Sequence, residues 1–367
     1  MVADLLSACG RSDLGGFDGR VIKKMMQFDL TERERTILAV LIDHYVRTAE
    51  PVGSRVIATK YDLGVSPATV RNTLSDLEEK GLIEQPHTSA GRIPTETGYR
   101  LYVDRLLKSE RLSAPEREKI KRALSIDYSA IEDILEQTSR VLARLTSQLG
   151  VTITPKFDQA VLNKVDLVQL TDTRVMVIVA VRSGIVRTIL IEVDSNIEVE
   201  RLRQTAEVLN EKLSGLSLGE IRRTIAERLR AEERGDPQVL KLFMEQHEHM
   251  LSESSGEELH TEGTINIISQ KEFQNPEKLR EFLTLLEERH SLIDLLKIKT
   301  FANDITVTIG TEANIEGMKG CSAVTRSYQA GQIRGTVGVI GPTRMEYAKL
   351  MSLVDYTAKV LSEILSR

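Results

Sequence analysis

Cysteine is almost absent: Cys9 and Cys321 lie far apart and form neither a CxxC pair nor a disulfide framework. That excludes a disulfide-stapled secreted domain and predicts reduced thiols in a cytosolic protein. No apolar run approaches the ~20 residues that span a bilayer, so no membrane partner is expected. The opening stretch MVADLLSACGRSDLGGFDGRVIKKMM lacks the basic start and unbroken apolar core of a signal peptide. Its Gly and Asp content predicts a disordered leader over residues 1–29. A basic surplus is missing too: net charge is -5, so overall charge gives no support to nucleic-acid binding. Any such reading must rest on local segregation of charge. Tryptophan is absent and aromatics amount to 4%, but 41% hydrophobic content can still bury real cores. A chain of 367 residues suggests about two or three domains.

Signatures of catalysis are also missing. No nucleophile elbow, P-loop or zinc motif occurs. Gly331, Gly335, Gly338 and Gly341 do not make GxGxxG and read as a strand with its turns. His247 and His249 stand at i and i+2, which do not face one another on a helix, and His260 is remote. A solvated acidic helix is the better reading there than a metal site. Cys321 has no histidine partner in sequence and reads as a buried structural thiol. No catalytic residue, metal or cofactor is expected.

What the chain does have is a dense run of short helical patterns from Leu30 to Lys108. In TERERTILAVLIDHYVRTAEPVGS, Thr31 and Glu34 have the spacing of a capping box. Ile37, Val40, Leu41, His44 and Tyr45 are expected on one face, and Pro51 and Gly53 end the helix. SRVIATKYDLG is a second short helix. VSPATVRNTLSDLEEKGL is a third, with Ser66 at the N-cap, Pro67 at the first helical position and Val70, Leu74 and Leu77 facing inward. A hairpin follows: LIEQ out, a tip around His87–Gly91, and RIPT back. Gln85–Thr95 holds no acid. Gly91 is expected to serve the turn, Pro94 to take an edge position, and Thr95 to cap the next helix.

Three helices followed by a hairpin is the order of a winged helix-turn-helix. Such a third helix places its N-terminal residues on base edges in the major groove of double-stranded DNA. Its outward face carries Ala68, Thr69, Arg71, Asn72 and Ser75. Arginine can bridge guanine bidentately and asparagine adenine, each worth about 1–3 kcal/mol of discrimination. Asp76, Glu78 and Glu79 fall in the C-terminal half. The region from Leu30 to Lys108 is neutral, with 11 bases and 11 acids, so segregation carries the argument. Arg55, Lys60, Arg71 and Arg92 are expected on the DNA side. The candidate DNA-binding residues are Arg55, Ser66, Ala68, Thr69, Arg71, Asn72, Ser75, His87, Thr88 and Arg92.

From Ser109 onward, helices, strands, another helix, more strands and a final helix predict an α+β domain around an antiparallel sheet. KVDLVQLTDTRVMVIVAV breaks at Thr171–Thr173, and Ser183–Gly184 is the expected turn before GIVRTILIEV. DITVTIG, SAVTRSY and IRGTVGVIG are three more strands. The last helix carries a stripe of Leu350, Leu353, Val354, Thr357, Leu361, Ile364 and Leu365. Between the strand sets, residues 216–275 hold 12 acids and 7 bases and read as an inserted subdomain of two helices and a strand-like GTINIIS.

The blocks TERERTILAVLIDHYVRTAEPVGSRVI, GVSPATVRNTLSDLEEKGLIEQPHTSAGRIPTETGYRLYVDRLL and GTVGVIGPTRMEYAKLMSLVDYTAKVL resemble the HrcA family of bacterial heat-inducible transcription repressors. The resemblance covers Leu30 to the C-terminus; the leader is no part of it. It implies a winged-helix domain (30–108), a GAF-like α+β domain (109–215 and 276–367) and an inserted dimerising subdomain (216–275). It further implies a homodimer that binds an inverted repeat (CIRCE type) upstream of chaperone operons, represses them, and is kept active by the GroEL chaperonin. Carried over by position, the recognition helix is Ser66–Lys80 and the wing Leu82–Thr95. A packed core is expected in the GAF-like domain ahead of a ligand pocket. Two other readings stay open: a ligand-gated winged-helix regulator with its effector in that domain, and an interaction scaffold that does not touch DNA.

Overall fold

A computed structural model describes residues 29–366, apart from 89, 109, 126–130, 156–158, 183–185, 253–257, 298–304, 316 and 332. The expected leader, save Asp29, and the expected Ser183–Gly184 turn lie outside the described residues, as do the side chains of His247 and His249. Contacts divide the chain into two compact units.

The first unit is Met1–Glu110 with Thr308–Ser322 and Gly341–Leu350. Helix α1 (Glu32–Thr48) starts at the expected capping box, with Glu34 N–H donating to Thr31 Oγ1 at 3.3 Å and Thr31 N–H to Glu34 Oε2 at 2.8 Å. Its buried face is Glu34, Ile37, Leu38, Leu41 and Ile42. Val40, His44 and Tyr45, expected to share the face of Ile37 and Leu41, are half-buried. Leu38 and Ile42 complete the stripe because the face follows i, i+3, i+4 and i+7 from Glu34. Glu34 can be buried because its other carboxylate oxygen receives Lys80 Nζ at 2.5 Å. Burial alone would raise that carboxyl, but the bonds from Lys80 and Thr31 outweigh it and hold its pKa below the ordinary value.

Helices α2 (Ser54–Lys60) and α3 (Pro67–Glu79) follow, then a two-stranded ribbon of β1 (Ile83–Glu84) and β2 (Ile93–Pro94), paired Ile83 with Pro94 and Glu84 with Ile93. Ile57, Val70, Leu74, Leu77 and Leu82 close the core over Ile37 and Leu41. Helix α4 (Glu96–Leu101) begins where Thr95 Oγ1 accepts from Gly98 N–H, and it runs on as a π-helical turn over Tyr102–Leu106.

The second unit is Arg111–Val307, Ala323–Ile340 and Met351–Arg367. Helices α5 (Ala114–Leu124) and α6 (Ile131–Thr146) lead into β3 (Leu149–Ile153). Strands β4 (Leu162–Thr171), β5 (Arg174–Val181) and β6 (Val186–Glu192) form an antiparallel three-stranded sheet. Helices α7 (Val199–Leu213), α8 (Leu218–Leu229) and α9 (Pro237–Ser252) come next, and β7 (Leu259–Glu262) returns to pair with β3. Helices α10 (Thr264–Ile268), α11 (Pro276–Glu287) and α12 (Arg289–Lys297) precede β8 (Thr306–Ile309), β9 (Cys321–Ala330), β10 (Ile333–Pro342) and α13 (Tyr347–Leu365). The five-stranded sheet has the order β7-β3-β10-β9-β8. Leu353 and Val360 of α13 pack with Ile120, Leu124 and Val141 of α5 and α6. The expected stripe on α13 is buried through Leu361, while Ile364 and Leu365 stay half-exposed. Cys321 is buried, as its isolation in sequence suggested.

Several elements differ from the sequence reading. GTINIIS, expected as a strand, is helix α10, and the strand is the preceding LHTE. Gly263, at φ 89°, turns the chain out of β7 there, and an apolar run that short does not reveal its period. Strand β3 went unseen because all five of its residues are buried, which erases the alternation that marks a strand. Helices α11 and α12 were not anticipated. The acidic segment 216–275 also fails to coincide with one structural layer. Its α8 and α9 share a hydrophobic cluster with β4–β6 and α7 that also takes in Ala330 of β9 and Ile333 of β10, whereas β7 joins the other sheet. Charge composition reports the solvated faces of these helices, not what their apolar faces pack against.

Candidate nucleic-acid interface

Helix α3 divides sharply into two faces. Val70, Thr73, Leu74 and Leu77 are buried, while Ala68, Arg71, Asn72 and Ser75 are exposed. Exposed Ser66 caps the helix: its Oγ accepts from Thr69 N–H at 3.1 Å and lies 2.9 Å from Thr69 Oγ1. Thr69 is therefore half-buried and occupied with its own cap. Ser75 donates back to the Arg71 carbonyl at 3.3 Å. Arg71 and Asn72 are left as the long polar side chains of the outward face. Arg55 and Lys60 are exposed on α2.

The wing is built from three pieces, one of which the sequence hid. Val52 and Arg92 exchange both backbone hydrogen bonds at 2.9 Å, stitching the segment between α1 and α2 onto β2. A single bridged residue between a proline and a glycine leaves no periodic signal. The bridge also revises the reason for Gly91. Its φ is not left-handed; instead a Cβ there would lie 2.5 Å from the Val52 carbonyl carbon. The position requires glycine for close approach, not for a turn. At the tip, Gln85 Nε2 donates to the carbonyls of Thr88 and Ala90, both at 3.0 Å. That side chain was not singled out in the sequence reading, although it holds the loop carrying exposed His87 and Thr88.

Arg92 is placed differently from the other cations. Its Nε and Nη2 both lie 2.9 Å from Glu78 Oε2, so its charge is neutralised by the last turn of α3. Arg55, Lys60 and Arg71 have no such acid in the described contacts. The acids of α3 sit toward its C-terminal half, leaving the N-terminal face and the wing tip free of carboxylates.

Helix α3 with its exposed Arg71 and Asn72, followed by a stitched two-strand wing, defines a winged helix-turn-helix DNA-binding domain on an α+β body. A family model described as the winged helix-turn-helix transcription repressor, HrcA DNA-binding, matches residues 29–105, and one described as the HrcA protein C terminal domain matches residues 132–351. The chain belongs to the HrcA family. It is 40% identical to the heat-inducible transcription repressor HrcA of Pelotomaculum thermopropionicum over 92% of this chain and 97% of that one. The Geobacter sulfurreducens protein of the same name is 38% identical over 92% and 98%. The Chlorobium phaeobacteroides protein is 37% identical over 93% and 100%. These relatives are named as transcription repressors, not enzymes. A crystal structure described as a hypothetical protein shares the fold, with a TM-score of 0.63 at 23% identity over 92% of this chain and 99% of that one. No described helix is long and apolar enough to cross a membrane.

Proposed function

We propose that this protein is a heat-inducible repressor of chaperone operons that acts as a homodimer in the bacterial cytoplasm. Its two winged helices read the two halves of an inverted repeat in double-stranded DNA of the CIRCE type. The observation that carries the reading is the exposed pair Arg71 and Asn72 on the acid-free N-terminal half of α3, beside a wing tip presenting His87 and Thr88. Arg71 and Asn72 have the chemistry of guanine and adenine recognition. Arg55 and Lys60 supply phosphate contacts, and Ser66, Ala68 and Ser75 let the helix approach the bases closely. Arg92 acts by bracing the wing on Glu78 more than as a free phosphate ligand. With few unneutralised cations, the salt dependence of binding is moderate.

Dimerisation fits the three-stranded sheet. One face packs on α7–α9; the other presents Val168 and Leu190, 40% and 58% exposed, in register with Met176 between them. An apolar row that open on a sheet is a surface awaiting a partner. In this reading the segment from β4 to α9 is the dimerising insertion, and β3 with β7–β10 is the GAF-like domain. Activation by the GroEL chaperonin follows from the family resemblance, and asks for a DNA-competent state of marginal stability.

The test is a footprint on the promoter of the organism's own chaperonin operon, with and without purified chaperonin. A symmetric footprint strengthened by chaperonin alone is the expected result. Protection that instead requires a small molecule favours an effector-gated regulator. Absence of protection on any inverted repeat, even with chaperonin, overturns the repressor reading in favour of a scaffold.

A further inference from the structure

Helix α4 leaves the wing and carries a two-way clasp that the DNA-facing residues do not explain. Arg100 donates from Nε to Glu312 Oε1 at 2.8 Å and from Nη2 to Glu312 Oε2 at 2.7 Å; its Nη1 donates to Asp104 Oδ1 at 3.1 Å. Charge also crosses in the other direction. Glu96 Oε2 accepts from the Thr311 backbone N–H at 3.0 Å and from its hydroxyl at 2.5 Å. The turn Gly310–Ala313 is shaped for this: Gly310 sits at φ 50°, and a Cβ there would collide with the Glu96 carboxylate. Glu312 also accepts from Ile309 N–H at 3.0 Å, which fixes its rotamer. Beside the clasp, the rings of Tyr99 and Tyr347 lie 6.1 Å apart, and Arg344 Nη1 donates to the Val46 carbonyl of α1 at 3.0 Å. The winged helix is thus fastened to residues 308–322 and 341–350 from two of its helices.

The arrangement is specific in direction. Arg100 and Glu312 side chains are only 16% and 21% exposed, and a guanidinium fork on a carboxylate tolerates little rotation. Half-buried ion pairs add little net stability over an apolar contact; their attested use is to select one registry. None of Glu96, Arg100, Thr311 or Glu312 lies on α3 or the wing.

We propose that this clasp is an alignment device: Glu96 and Arg100 on α4, with Thr311 and Glu312, fix the direction in which α3 is presented, so that a dimer accepts one separation of half-sites. The four are positioning residues, acting through α3 without touching DNA. The inference rests on the reading of paired winged helices on an inverted repeat. Each base pair inserted between half-sites turns one about 35° around the duplex from the other, and a clasped dimer cannot follow.

The experiment measures affinity of the full chain, with chaperonin present, for the native operator, for operators lengthened or shortened by one and two base pairs, and for a single half-site. Wild type is expected to lose about tenfold or more per altered spacing. Glu312→Gln and Arg100→Gln are expected to bind all spacings within about threefold of one another, with half-site affinity unchanged. Variants that discriminate spacing as wild type does overturn the inference, as does a parallel fall in half-site affinity, which marks a merely structural role. Wild type that binds every spacing equally overturns the paired reading itself, and the inference with it. If these variants do not fold, Thr311→Val, which removes one hydroxyl bond and keeps the shape, should show the same relaxation in smaller degree; full discrimination by that variant counts against the clasp.

Discussion

Arg92 at the base of the wing and Glu78 in the last turn of α3 form one joint, with two guanidinium nitrogens 2.9 Å from a single carboxylate oxygen. The side chains are 22% and 34% exposed, so the pair contributes about 1 kcal/mol or less to stability. Its larger expected effect is electrostatic, because Glu78 pairs with a cation beside the proposed DNA-facing surface. Glu78→Gln should therefore tighten DNA binding and steepen the dependence of log K on log salt by about one phosphate contact. Binding titrations over a salt series check this, and an unchanged slope would mean that Arg92 does not reach the backbone even when freed.

Arg71→Ala and Asn72→Ala should each weaken operator binding by about 1–3 kcal/mol and relax the preference for one base pair in each half-site. Neither residue is buried, so folding and dimerisation should be untouched. Competition against operators mutated singly at each position reads the specificity, and sedimentation reads the assembly. A variant that sediments as a monomer contradicts the assignment of these side chains to DNA.

Gly98 is buried in α4 with no room for a side chain, since a Cβ would run into the carbonyl oxygen of Leu82. Gly98→Ala should cost about 2–3 kcal/mol through backbone displacement. Thermal denaturation against Ser75→Ala, an exposed control, tests it. Equal melting temperatures for Gly98→Ala and wild type would refute the close packing of α4 on the residue that opens the wing.

His44 is expected to contribute pH dependence to the first unit. Burial lowers its pKa, the charges of Lys60 and Arg47 lower it further, and Glu50 opposes them. Its Nδ1 lies 2.8 Å from Tyr61 Oη, with the two rings edge to face. A depressed histidine binds its proton more readily in the unfolded chain. Its contribution to stability is therefore complete above the ordinary histidine value, about 6.5, and is lost as pH falls through the lower folded value. Denaturant unfolding of wild type should weaken from about pH 7.5 to about pH 5.5 more steeply than that of His44→Gln. Parallel curves would assign the acid sensitivity to other groups, Glu34 among them at still lower pH.

The order of elements in the DNA-binding domain was legible because each boundary is written in a local residue. Thr31 and Glu34 cap α1, Ser66 and Pro67 open α3, and Thr95 caps α4. Such caps act within four residues and need no tertiary context. The outward placement of Arg71 and Asn72 followed from the spacing of Val70, Leu74 and Leu77. What stayed hidden depends on partners distant in sequence: the Val52 bridge to Arg92, the Glu312 partner of Arg100, and fully buried β3. The pairing of Arg92 with Glu78 was hidden for a different reason. Both residues were visible, but counting charges cannot tell a free cation from one facing an acid.

Strand β3 pairs on one side with β7 and on the other with β10, so neither neighbour exists in a nascent chain until residues 262 and 340 have been synthesised. Between β3 and β7 the ribosome delivers a whole three-stranded sheet and three helices. Rates of strand pairing fall with separation along the chain, and an apolar strand waiting with bare edges is open to aggregation. The yield of finished molecules is therefore expected to fall where half-made chains aggregate. In the proposed role, that order of synthesis would couple the repressor's own yield to the aggregation of unfinished chains.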